Sequence, residues 1–332
     1  MSEGVGEFLL SSTPPLPNTI TITMNRNPAV ELYRVGAMFG IVLLHTIVQG
    51  GYLRSRGLDN VLLSCVTAFV FISGYFGIRF SVRKIIRLIA LGCYCSFIAA
   101  VIGGGMCCLR DGLLLDIIKY HWFLWAYLVL MCFAPILNLA FDGELKEVLP
   151  RVAPILVVVF GWSYLAMIPV LKRYFPTVQG FGPLTPLTLI GIYLAARLSR
   201  KVFASMHLGS RVFAGLVILA LPITWIGFGH YNSVASLVLA GAMFYLVEKL
   251  PVSERIGDML AVVVPSLFPI YLLHCNAVGY EYLKSLNRFF IEDCHIWLYA
   301  SYVMTAAVVF TVCFMIDLPR RFVLYMIDKR RK

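Results

Sequence analysis

The chain has 332 residues and a mass of 37.2 kDa; 60% of it is hydrophobic, only 14% is charged, and its mean hydropathy is +0.84. A soluble domain is roughly 45–50% apolar and about 25% charged, so this composition excludes both a single soluble core and a disordered chain. The net charge of +11 comes from 28 Lys and Arg against 17 Asp and Glu. The cations sit in short runs between apolar stretches, which argues against a nucleic-acid-binding face and for a polytopic membrane protein.

Residues 1–23 are polar, contain Pro14, Pro15 and Pro17, and lack the basic start of a signal peptide. Residues 1–25 read as a disordered tail, and Met24 as an alternative start. From residue 32 apolar runs alternate with charged links. Spans are expected near 32–50, 58–78, 85–106, 121–140, 152–171, 182–199, 212–229, 232–250, 260–283 and 296–316, each close to the roughly 20 residues that cross a bilayer. The fold class is therefore all-α, a membrane bundle of about ten transmembrane helices occupying 26–320, with a basic tail over 321–332. Ten spans place both termini on one side. Nineteen Lys and Arg then fall on that side and eight on the other, with Arg34 inside the first span. The positive-inside rule makes the terminal side cytoplasmic.

Nine cysteines are present and none forms a CxxC pair, so no metal site is expected. Cys107, Cys108 and Cys294 fall in outward links, where a disulfide is feasible but nothing in the spacing demands one. Asp317, before Pro319, reads as a helix-end residue.

The first span runs from Glu31 through Arg34 to His45. An ionisable group inside a membrane helix is costly and usually faces protein. Arg34 and His45 are eleven residues apart, three turns plus about 20°, so they share a face at a separation of roughly 16 Å. Glu31 is spaced to pair with Arg34. Taken singly, Arg34 is also explained as a snorkelling anchor and His45 as a structural hydrogen-bonding group. Together they favour a polar site with a guanidinium for an anion and an imidazole for a proton. The second span ends in Ser73-Gly74-Tyr75, small and hydroxyl residues that let helices approach closely. Arg79, Arg83, Lys84 and Arg87 follow, either as a topology signal or as a cradle for phosphates. Trp122 and Tyr127 read as an interfacial aromatic belt or as a sugar-stacking surface. His274 reads as an acceptor-binding or a structural residue.

Glu31-x-x-Arg34 with His45 ten residues further on resembles the first-helix signature of the acyltransferase-3 family of integral membrane acyltransferases. The resemblance extends through Phe71-Ile-Ser-Gly-Tyr-Phe76, Arg83-Lys-Ile-Ile-Arg87, His121-Trp-Phe-Leu-Trp-Ala-Tyr127, Ala134-Pro-Ile-Leu-Asn138 and Ile270-Tyr-Leu-Leu-His274. It is closest in character to stand-alone bacterial O-acyltransferases of surface polysaccharides. It implies ten or so helices, an essential His45 and Arg34, and an Arg-x-x-Arg pair after the second helix. Here that pair reads Lys84-x-x-Arg87, which keeps the charge but gives up one bidentate fork. An appended esterase-like domain is not expected.

These readings lead to a bacterial inner-membrane, multi-pass O-acyltransferase, an O-acetyltransferase in the first instance. Acyl-CoA, chiefly acetyl-CoA, is the expected cosubstrate. Its phosphates are expected on Arg83, Lys84 and Arg87, with no tightly bound cofactor. The expected partners are membrane lipids and a lipid-linked or surface glycan, without nucleic acid. His45 is the expected general base. Glu31, Ser73, Tyr75, Trp122, Tyr127 and His274 are further candidates for substrate contact. The alternative is a secondary transporter of an anionic or acylated compound, since transporters also bury charge within broken helices.

Overall fold

The computed structural model describes residues 27–52, 54–103, 121–165, 185–206, 208–228 and 233–330. All regular structure among the described residues is helical. This satisfies the bilayer's demand that each spanning backbone bond its own polar groups. In chain order the helices are α1 (Pro28–Gln49), α2 (Arg56–Phe76), α3 (Val82–Ile102), α4 (Trp122–Leu139), α5 (Leu145–Leu165) and α6 (Pro186–Met206). They continue with α7 (Ser210–Ile223), α8 (Val234–Val247), α9 (Glu254–Val263), α10 (Leu267–His274), α11 (Ala277–Arg288) and α12 (Leu298–Arg330).

Seven stretches among the described residues are long and apolar enough to cross a membrane: α1, α2, α3, α4, Ser210–Gly227, Glu254–His274 and Leu298–Ile327. The other three expected spans overlap α5, α6 and α8, which are helical but shorter or more charged; residues 166–171 and 182–184 of those spans lie outside the described residues. Helix α8 has 14 residues. Helix α5 opens with Lys146, Glu147 and Arg151, and α6 carries Arg197, Arg200 and Lys201. The expected tail over 1–25 and the outward link around 107–119 lie outside the described residues. Side chains such as Val157, Ile218 and Ile226 are more than two-thirds exposed, a surface that lipid solvates and water does not.

Two expectations about boundaries are corrected. The expected span 260–283 begins earlier, at Glu254, and breaks after His274. Asn276 causes the break: its Oδ1 accepts from Gly279 N at 2.9 Å and caps α11, while its Nδ2 donates to the carbonyls of Leu272 and Leu273 at 3.2 and 2.8 Å. The last helix does not stop near residue 316. Helix α12 runs through Pro319 to Arg330, so Asp317 is an interior residue of a helix and not its end.

The described chain forms two compact units. One consists of the described residues of Ser55–Ile85 and Trp122–Lys249. There α6 touches α2, α4 and α5, while α8 touches α2 and α7. Gly74 permits the α2–α6 approach. A Cβ at that position would lie 2.6 Å from Tyr193 O and 2.8 Å from Ala196 Cβ. Beside it, Tyr193 Oη accepts from Ile78 N at 3.0 Å and donates to Asn138 Oδ1 at 2.7 Å, and Asn138 Nδ2 donates to Ile78 O at 3.0 Å. The end of α2, α4 and α6 are thereby joined by one closed polar circuit.

The other unit consists of the described residues of Glu7–Arg54, Ile86–His121 and Leu250–Lys332. Helix α1 is its centre, packed on α9, α10, α11 and α12. It starts at Asn27, whose Oδ1 accepts from Ala29 N at 2.9 Å, with Pro28 in the first turn. Its buried face includes Ala37, Met38, Ile41, Val42, Leu44 and Ile47. Near the start of α1, Pro28 approaches Gly257 of α9; near the middle, the Phe39 and Phe310 rings lie 6.2 Å apart. Beyond its other end, Tyr52 Oη donates to Glu292 Oε1 at 2.7 Å, and that bond raises the Tyr52 phenol above its ordinary pKa.

Candidate functional site

Helix α1 is unbroken from residue 28 to residue 49, so the eleven-residue spacing of Arg34 and His45 holds as one helical face. Arg34 Nη1 donates to Glu31 Oε1 at 2.7 Å, and both side chains are buried. This is the pairing expected from their spacing. It holds the guanidinium inside the protein, which a snorkelling anchor would not require.

His45 retains exposed surface, whereas His274 is only 1% exposed. Their imidazoles meet: His45 Nδ1 and His274 Nε2 are 2.9 Å apart, with ring centroids at 5.1 Å. His274 Nδ1 lies 2.6 Å from Ile270 O, one turn back along its own helix. The helix break places His274 as the last residue of α10, and the first turn of α11 is pressed against it. Any Cβ at Gly279 would collide with His274 O, so only glycine fits there. Helix α11 also brings Tyr280 edge-on to His45, with ring centroids at 5.9 Å, and its hydroxyl lies 3.0 Å from Cys275 Sγ. On the far side of His274 the rings of Tyr271 and then His121 follow, each step 6.1 Å between centroids. The cluster is aromatic and neutral in character. Among the described residues, no carboxylate hydrogen-bonds either imidazole of the pair.

A second polar group occupies the same unit. Asp317, wholly buried, receives two hydrogen bonds from Arg320 at 2.6 and 3.0 Å and a third from Ser266 Oγ at 2.7 Å. Arg321, also buried, donates to Ser266 Oγ at 3.1 Å and to Val262 O. This group was hidden from sequence reading, because Pro319 reads as a stop signal.

The remaining candidates divide between the two units. Ser73, Tyr75, Trp122 and Tyr127 belong to the α6-centred unit. Tyr127 is buried and donates to Ser73 Oγ at 3.3 Å, and its ring stacks on Phe123 at 5.9 Å. Tyr75 Oη donates to Glu248 Oε1 at 3.4 Å, and Arg200 covers its ring at 5.2 Å while donating to its carbonyl. Trp122 packs edge-on against Phe123. Arg83, Lys84 and Arg87 lie in the first two turns of α3, with Arg83 and Arg87 exposed. Among the described residues, no group of three His, Cys, Asp or Glu could hold a metal ion.

An all-helical protein with seven membrane-crossing candidates and polar residues facing its interior is a multi-pass membrane protein. The acyltransferase domain model matches residues 27–317, and the chain belongs to that family, acyltransferase-3. It is thus a membrane acyltransferase. No curated protein and no solved structure matches the chain.

Proposed function

We propose that this acyltransferase moves an acyl group, first of all acetyl, from acyl-CoA to a hydroxyl of a surface or lipid-linked glycan in a bacterial inner membrane, with His45 as general base. The observation that carries the reading is His45, about one turn from the end of α1 and not fully buried, whose imidazole meets a second, inaccessible histidine at 2.9 Å. A structural histidine does not need exposed surface in that position, whereas a proton acceptor does. Arg34 lies on the same face about 16 Å away along the axis, a separation that suits a long, thin donor with anionic groups at one end and a thioester at the other. Arg87, in the same unit as His45, supplies a further cationic group for the donor's phosphates.

In the proposed reaction the acceptor oxygen attacks the thioester carbonyl while His45 takes the hydroxyl proton. Collapse of the intermediate forms the ester, breaks the C–S bond and returns the proton to the departing CoA thiolate. About ten helices with both termini cytoplasmic remain the proposed topology, on the charge bias of 19 to 8.

The test is His45→Gln in membranes with quantified protein. Glutamine hydrogen-bonds but does not act as a base near neutral pH. Acyl transfer is expected to fall by about 10²–10⁴-fold with abundance unchanged. Full transfer by this variant removes His45 from the chemistry.

A further inference from the structure

We infer that His274 is a positioning residue that selects the tautomer of His45, holding the proton on Nδ1 and leaving Nε2 bare to receive the proton of the acceptor hydroxyl. The inference rests on the proposed role of His45 as base.

The argument begins at Ile270. A backbone carbonyl only accepts hydrogen bonds, and His274 Nδ1 lies 2.6 Å from Ile270 O. His274 therefore carries a proton on Nδ1. Neutral imidazole has one N–H, so His274 Nε2 holds a lone pair and accepts. His45 Nδ1, 2.9 Å away, must then be the donor, and its own single N–H is accounted for. His45 Nε2 is left as a lone pair. Among the described residues His45 makes no second hydrogen bond, so no described side chain occupies this nitrogen. Each link in the row fixes the next: carbonyl, imidazole, imidazole, open lone pair.

Enzymes commonly orient a catalytic imidazole with a carboxylate, which also stabilises the cation that forms. Here the orienting group is a neutral ring. The groups facing the pair are Tyr280 from α11, Tyr271 and Cys275 beside His274, and His121 beyond Tyr271. His274 contributes direction and tautomer and adds no counter-charge. This arrangement avoids placing an extra charge in the bundle, where an unpaired one is costly. The break after His274 keeps the relay rigid, because Asn276 bonds to the helix ends on both sides of it and Gly279 packs against His274 O.

The test has two arms on the full-length protein in native or reconstituted bilayers. In the first, ¹⁵N-histidine NMR reads the tautomer of His45 directly, assigned by its loss in His45→Gln. Protonated Nδ1 with bare Nε2 is expected; a proton on Nε2 overturns the inference, and this arm needs no turnover. In the second, acetyl-CoA consumption by membranes containing the native acceptor is compared for two variants. His274→Phe keeps the ring and removes the acceptor. Its kcat is expected to drop by about 10²-fold or more, with the KM for acetyl-CoA near wild type and the Nδ1–H signature of His45 lost. His274→Gln offers an oxygen to the same N–H and is expected to restore transfer to within about tenfold of wild type. Unchanged kcat per folded molecule in His274→Phe overturns the inference. A His274→Gln variant as inactive as His274→Phe, with the His45 tautomer intact, also overturns it and makes His274 the proton carrier. Failure of the underlying reading looks different: His45→Gln then retains transfer.

Discussion

Arg34 Nη1 and Glu31 Oε1 are held 2.7 Å apart, one turn from each other on α1, with neither side chain more than 3% exposed. Removing one partner of a buried ion pair leaves the other charge uncompensated and typically costs about 3–5 kcal/mol, while replacing both by apolar residues is often neutral. Glu31→Gln should therefore lower the thermal stability of the solubilised protein markedly. Glu31→Leu combined with Arg34→Met should recover most of that loss and still fail to transfer acyl groups. A double variant that regains both stability and activity would make the pair purely architectural.

The closeness of α2 and α6 depends on a missing methyl group. Gly74→Ala places a Cβ within 2.6 Å of Tyr193 O, and overpacking of this kind costs about 1–3 kcal/mol. Gly36, also inside a helix, has nothing within 4 Å of its would-be Cβ. Gly36→Ala should be neutral or stabilising by up to about 1 kcal/mol. Thermal melts of the two variants side by side should separate by several degrees, and equal melts would disprove the close approach.

Tyr193→Phe removes one hydroxyl and orphans both Ile78 N and Asn138 Oδ1. A buried polar group left without a partner costs about 1–3 kcal/mol. Adding Asn138→Leu to Tyr193→Phe should cost less than the sum of the single changes, which a double-mutant cycle measures.

Asp317→Ala should be more severe, because it leaves Arg320 without the carboxylate and Ser266 without its acceptor. A loss of about 3–5 kcal/mol is expected, read as reduced survival of folded protein after mild heating. Wild-type stability in this variant would return Asp317 to the role of a dispensable helix residue.

Cys294 is exposed and unpaired among the described cysteines. The proposed topology puts it outside the membrane, so a membrane-impermeant maleimide should label intact cells less in Cys294→Ser than in wild type. Ser253→Cys, at the start of α9, should gain label only after permeabilisation. The reverse pattern would invert the charge-based orientation.

Which features were readable in advance follows from the range of the interactions. Glu31, Arg34 and His45 stand out because they interrupt an apolar run at helical spacings, and a helix preserves such spacings. The Ser73–Gly74 approach was readable for the same reason. The meeting of His45 with His274 was not, since 229 residues separate them and no local rule governs that distance. The helix break after His274 and the continuation of α12 past Pro319 reversed two boundary readings. In the first, an asparagine cap interrupted an apolar run. In the second, packing on α1 and α10 carried the helix through its proline.

Pro28 meets Gly257, and seventeen residues further along each strand of sequence His45 meets His274. The two segments therefore act as a pair of matched rulers read from a shared zero. One residue inserted between Gly257 and His274 would advance the second ruler by about 1.5 Å and swing its final imidazole through about 100°. Substitutions along that stretch can be absorbed by repacking, but a change in its length cannot. Natural variants of this protein should accordingly differ in residue choice between positions 257 and 274 while holding the interval fixed, and should place their insertions in the links beyond it.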